Sequence, residues 1–129
     1  MKSKKTTQAQ LKKLQRKQER KNYIEWSKLV KERDDYKCAI CEAEGLLHTH
    51  HIIPRQNKMY RFDVDNGITL CPRHHKYSFI ISAHKNPLVF FMWFERNRST
   101  QFLRLKHKHI DLFQRTDEWY NEKLEGSSK

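Results

Sequence analysis

Between Tyr23 and Val30 the apolar side chains recur at helical spacing: Tyr23, Ile24, Trp26, Leu29 and Val30. The pattern predicts an amphipathic helix over 22–33, with Trp26 packed in a core. Residues 46–53 are dense in apolar and β-branched side chains and stop at Pro54, as a strand would. Ile68 to Leu70 reads as a second, short strand. Pro72 suits the first turn of a helix, where its missing N–H is not needed. That helix would carry His74, His75, Tyr77, Phe79, Ile80 and Ile81. Pro87 opens another helix, and Leu88 to Phe94 is apolar all round. Such a segment predicts burial, against the core or a second subunit. Ser99 or Thr100 caps a further helix with Phe102, Leu103 and Leu105 among basic residues. The fold class is α+β: a strand, loop, strand, helix unit flanked by N- and C-terminal helices. Three Gly and three Pro argue against an all-β fold built on many tight turns.

Composition adds a boundary. The chain has 129 residues and a net charge of +12, and the excess is uneven. Residues 1–22 hold nine basic residues and one acidic, a net of +8, and almost no core-forming side chains. We read 1–22 as a basic arm, either disordered or a solvated helix, that orders on nucleic acid; a plain solubilising tail is the alternative. Residues 23–114 form the domain, and the polar 115–129 a frayed tail. The excess of Lys and Arg points to a polyanion, nucleic acid first and an anionic membrane surface second. The apolar run at Leu88–Phe94 is far too short to span a bilayer, and no signal peptide opens the chain. We therefore expect no membrane association and a cytoplasmic protein.

The cysteines change the picture most. Three is an odd count, so they cannot all be used in intramolecular disulfides. Cys38 and Cys41 form a C-x2-C knuckle, and Cys71 is followed at the same spacing by His74. Two turns that present four such ligands suit a tetrahedral zinc ion. The expected site is Cys38, Cys41, Cys71 and His74, structural and closed. Buried free thiols and a surface histidine are the alternative. Thiolate ligation implies a reducing compartment.

More histidines lie around it. His50 and His51 are adjacent, so in a regular strand they face opposite ways. To serve one site they must flank it where the strand ends. His74 and His75 lie about 100° apart on a helix. His74 can pair with Cys71 while His75 faces His50 and His51. His48 shares the strand face of His50, as an outer-shell partner or, as we favour, a packed strand residue. His84, His107 and His109 fall outside this pattern and read as surface residues in basic helical stretches.

His51, fourteen residues, Asn66, eight residues, His75 resembles the signature of the HNH endonuclease family. HHIIP, NGITLC and the HH pair are close to that family's core, and the zinc knuckles fit its zinc-bearing branch. The entry segment WSKLVKERDDYKCAIC is similar to that of small phage-type members. The likeness covers residues 24–85 and extends to about 110. It implies a ββα-metal fold with a structural zinc site, and hydrolysis of DNA phosphodiesters. It further implies that His51 is the general base and that His50 and His75 hold one catalytic divalent ion (Mg2+, Mn2+, Ni2+ or Zn2+). Asn66 would orient His51 or approach the metal. His replaces the family's frequent Asp at position 50, and His replaces Cys at position 74; both keep ligand capacity. Arg55, Arg73 and Lys76 lie near the motif as candidate phosphate donors, with solvated surface charge as the alternative. The implied partner is DNA, met as a monomer or homodimer. Two other readings remain: a non-catalytic zinc module that binds nucleic acid, and a nuclease active only within a phage packaging or other complex. If phage-encoded, its place is the host cytoplasm.

Overall fold

The computed structural model describes residues 5–108, 118 and 121–126. His109 and most of the tail over 115–129 lie outside them. The chain opens on α1 (Gln8–Arg33), begun by a capping box: Thr7 accepts from the Gln10 amide and Gln10 accepts from the Thr7 amide. The helix runs through residue 22 without a break, so the basic segment and the helix predicted over 22–33 are one element. Only Trp26 and Val30 are buried on it, one turn apart, whereas Tyr23, Ile24 and Leu29 remain exposed. The amphipathic face is therefore narrower than the sequence predicts. It covers a sheet of only two strands, so one strip of side chains suffices.

β1 (His48–His51) and β2 (Gly67–Leu70) pair antiparallel, with His48 opposite Leu70 and His51 opposite Gly67. β1 is shorter than the predicted 46–53, and Leu46 is exposed in the turn before it. A single 3-10 turn over Val64–Asn66 leads into β2. β2 is buried along its whole length because α1 lies across it. The approach is close at Gly67. A Cβ there would sit 2.5 Å from Val30 Cγ2 and 2.7 Å from Trp26 Cζ2. We expect Gly67→Ala to push α1 off the sheet and to cost about 1–3 kcal/mol, the usual penalty of overpacking. A denaturant titration with an unchanged midpoint would refute this.

Asp34 ties three elements together. Its side chain is 1% exposed, and it meets Arg33 at 2.9 Å, Arg98 at 2.6 Å and the Thr69 amide at 3.0 Å. Burial alone would raise its carboxyl, but the two guanidinium groups hold it below the ordinary carboxylate range. The end of α1, β2 and the Arg98 junction between the two following helices are thereby locked together.

The helix predicted from Pro72 to Ile81 is cut short. Arg73–Tyr77 forms one wide helical turn, closed by Ser78 N donating to Arg73 O. Ser78 is extended, and its hydroxyl accepts from the amides of Ile80 and Ile81. The chain then doubles back. Ala83 N donates to His74 O, and His84 N to His75 O. Phe79 and Ile80, expected on a helix, are exposed in this reversal.

α2 (Pro87–Asn97) starts at Pro87 with Asn86 as its cap, and α3 is Ser99–Lys108. Phe90 and Phe94 are buried, but Leu88, Val89, Phe91 and Met92 are exposed, so this helix is covered on one side rather than all round. The core gathers Ile68, Leu70, Ala83, Phe90 and Phe94 with Cys38 and Cys71. Two of its buried members are thus candidate metal ligands. Among the described residues, no helix is long and apolar enough to cross a membrane.

Candidate metal centres and cleft

The two knuckles converge at the inner end of the sheet. The Cys38 amide donates to Ala43 O and the Glu42 amide to Cys38 O, which folds the first knuckle into a tight loop. Glu42 adopts a left-handed φ of 63° there. Cys71 directly follows β2 and His74 sits in the wide turn. Cys41 Sγ lies 3.8 Å from Cys71 Sγ, far beyond a disulfide bond. Cys38 Sγ lies 3.7 Å, and Cys71 Sγ 3.3 Å, from His74 Nδ1. A tetrahedral zinc with bonds of about 2.3 Å to sulfur and 2.0–2.1 Å to nitrogen has edges of about 3.6–3.8 Å. The cluster therefore fits a zinc ion, with all four ligand atoms within 4.8 Å of one another. Burial raises the Cys38 thiol, but amide donors from Cys71, Cys41 and Ile40 more than offset it and lower its pKa. The shift favours the thiolate at Cys38 alone, since burial and the neighbouring thiols raise the Cys41 thiol.

A second cluster occupies the other side of the wide turn. His50, His75 and His84 bring their ring nitrogens within 4.8 Å of one another. His75 Nε2 lies 3.1 Å from His84 Nε2. Burial, reinforced by neighbouring charge, lowers the His50 pKa to about 3 and the His75 pKa to about 4. Both are neutral near physiological pH, the form a metal requires. His84 reads in the sequence as a helical surface residue. It is exposed, but the chain reversal carries it onto His75. Its sequence signal was only a histidine beyond the motif. His48 is half-buried, with Nδ1 2.9 Å from His75 Nδ1. It is therefore an outer partner of the cluster rather than a merely packed residue. His107 is exposed on α3 and belongs to neither cluster.

His51 faces the other side of β1, as alternation demands. Its ring stacks on Trp26 at 4.1 Å between centroids, and Nε2 lies 2.9 Å from Arg61 O. A carbonyl can only accept, so Nε2 carries the hydrogen and Nδ1 is left as an acceptor. Burial lowers the His51 pKa, and the charges of Arg55 and Arg61 add to this against the pull of the Arg61 carbonyl. Asn66 is fully buried. Its Oδ1 accepts from Ile53 N at 2.6 Å, while Nδ2 donates to Ile53 O and Tyr60 O. Those bonds brace the loop that supplies the Arg61 carbonyl, and they turn the side chain inward to the backbone.

A cleft of about 640 Å3 joins the histidines, lined by His50, His51, His75 and His84. Arg55 and Lys76 lie on its wall as well. Arg73 is exposed and lines neither this cleft nor the smaller one beside it.

An antiparallel strand pair, a helical turn, a four-ligand zinc cluster and an imidazole cluster define a zinc-bearing ββα-metal fold of the α+β class. Residues 38–78 match the family model described as HNH endonuclease. The matched segment starts at the first zinc-knuckle cysteine and ends just past the wide turn. Neither the comparison with curated proteins nor that with solved structures found a match. The family implies a nuclease function and a DNA substrate.

Proposed function

We propose that the protein is a metal-dependent endonuclease that hydrolyses DNA phosphodiester bonds, with His51 as general base. The observation that supports this best is the shared cleft: His51 opens onto the same cavity as His50, His75 and His84. His51 Nδ1 takes a proton from the attacking water, while the Arg61 carbonyl fixes the tautomer through Nε2. Asn66 acts as a positioning residue through the loop it braces. Attack forms the new P–O bond, and the bond to the 3′ oxygen breaks. Arg55 and Lys76 hold phosphate oxygens as charged donors. His50, His75 and His84 would hold a divalent ion, which would supply positive charge to polarise the phosphate and stabilise the leaving oxygen. His48 would fix His75 through its other ring nitrogen. Three imidazoles with no carboxylate favour transition ions over Mg2+. The free thiols suit the reducing cytoplasm.

The test is supercoiled-plasmid cleavage by zinc-loaded protein with Mg2+, Mn2+, Co2+ or Ni2+. Relaxed or linear product is expected, more with the transition ions than with Mg2+. His84→Ala should raise the metal concentration needed, by about 10-fold or more on the scale of lost metal contacts, with structural zinc unchanged. No product from wild type with any of these ions would sink the reading of a nuclease active on its own. It would leave a DNA-binding module or a nuclease awaiting a partner complex.

A further inference from the structure

α1 runs well past the two-stranded sheet that it packs on. Trp26 and Val30 bury its second half, while residues 8–22 project beyond the sheet and are exposed apart from Asn22. At 1.5 Å per residue, the projecting part is about 22 Å long. Turning 100° per residue, Lys12, Arg16, Arg20 and Tyr23 continue the face that carries Trp26 and Val30. The face that docks the helix on the domain thus becomes a basic stripe where the domain ends.

The stripe does not end in open solvent at its inner end. A second cleft, of about 330 Å3, lies between α1 and the 55–62 loop, and Arg16, Arg20, Arg55, Arg61 and His51 line it. Glu19 also lines it and pairs with Arg61 at 3.2 Å, leaving the four arginines with a net excess of positive charge. His51, Arg55 and Tyr23 border both this cleft and the one that holds the three histidines. The two are consecutive segments of one groove, with His51 at the junction.

We infer that the Lys12–Arg16–Arg20 face of α1 and the adjoining arginine cleft form a track for the phosphodiester backbone of duplex DNA, which delivers a strand to His51. The inference rests on the nuclease reading for its destination, but not for its binding chemistry. A projecting length of about 22 Å spans about six phosphates at the 3.4 Å axial repeat of one strand. Guanidinium groups suit the site because they bind phosphate oxygens in pairs. The opposite face of α1, with Lys17 and Lys21, carries similar charge but points away from the cleft. A solubilising charge run would treat the two faces alike. A track would not.

The experiment compares two double variants of equal charge loss, Arg16→Gln/Arg20→Gln and Lys17→Gln/Lys21→Gln, each in a His51→Ala background that keeps the duplex intact. Affinity for a fluorescein-labelled 20-bp duplex is read by anisotropy across 50–200 mM salt, with no divalent ion added and helicity checked by circular dichroism. The track predicts that the arginine pair weakens binding by about 10-fold and flattens the log–log salt slope by about 1.8, for two phosphate contacts. The lysine pair should change affinity less than about 3-fold. Equal losses in both variants, or no binding by the parent, overturn the track. An arginine-specific loss in a protein whose wild type cuts no plasmid would keep the track and reject the nuclease. Plasmid cleavage together with equal losses would do the reverse.

Discussion

His51→Ala is expected to lower plasmid cleavage by about 100- to 10,000-fold, the usual contribution of a positioned general base. The geometry makes the loss specific. His51 is half-buried, stacked on Trp26, with Nε2 turned to the Arg61 carbonyl. Alanine removes the proton acceptor but none of the four zinc ligands and none of the three clustered imidazoles. Zinc content should stay at one per chain, and duplex affinity should hold, since phosphate contacts dominate it. Asn66→Ala provides the contrast. It leaves the base in place but strips the Ile53 and Tyr60 backbone groups of their partners, so both activity and stability should fall. If His51→Ala cleaves at the wild-type rate, the base has been misassigned. If it cleaves slowly but has also lost zinc, the defect lies in folding.

Zinc removal carries the largest expected effect on stability. Cys38 and Cys71 belong to the apolar core, alongside Ile68, Leu70 and Phe94. Binding of structural zinc contributes on the order of 10 kcal/mol or more, comparable to the whole stability of a typical domain. A chelator, or Cys71→Ser, should therefore abolish the near-ultraviolet circular dichroism and the cooperative thermal transition. Cleavage should fail in step, because His74 and His75 are neighbours and the same reversal binds both of their carbonyls. A chelated, zinc-free protein with an unchanged melting transition would show that the cluster is not a folding element.

Much of this centre is legible in the residue order. Cys38, Cys41, Cys71 and His74 declare themselves because metal ligation imposes short, paired spacings. The two strands and Pro87 are equally plain. His84 is not, because its place depends on a reversal held by the Ser78 hydroxyl and by backbone bonds to His74 and His75. Periodicity reads that stretch as helix, since Phe79, Ile80 and Ile81 look like a buried face. The same bias predicts full burial of Leu88 and Met92, which the small core leaves exposed. The Asp34–Arg98 lock joins residues 64 positions apart, and no local pattern encodes such a pairing. Gly67 is silent for a similar reason: only the packed helix reveals why a methyl group has no room there.

All four zinc ligands precede residue 75, whereas the third clustered imidazole arrives only at 84. A chain emerging from the ribosome therefore presents its four candidate zinc ligands before its imidazole cluster is complete. The reversal that seats His84 hangs on the carbonyls of the zinc-ordered turn. On the nuclease proposal, a nascent chain would stay inert until that turn has closed, and a chain starved of zinc would lack the scaffold on which its third imidazole is seated.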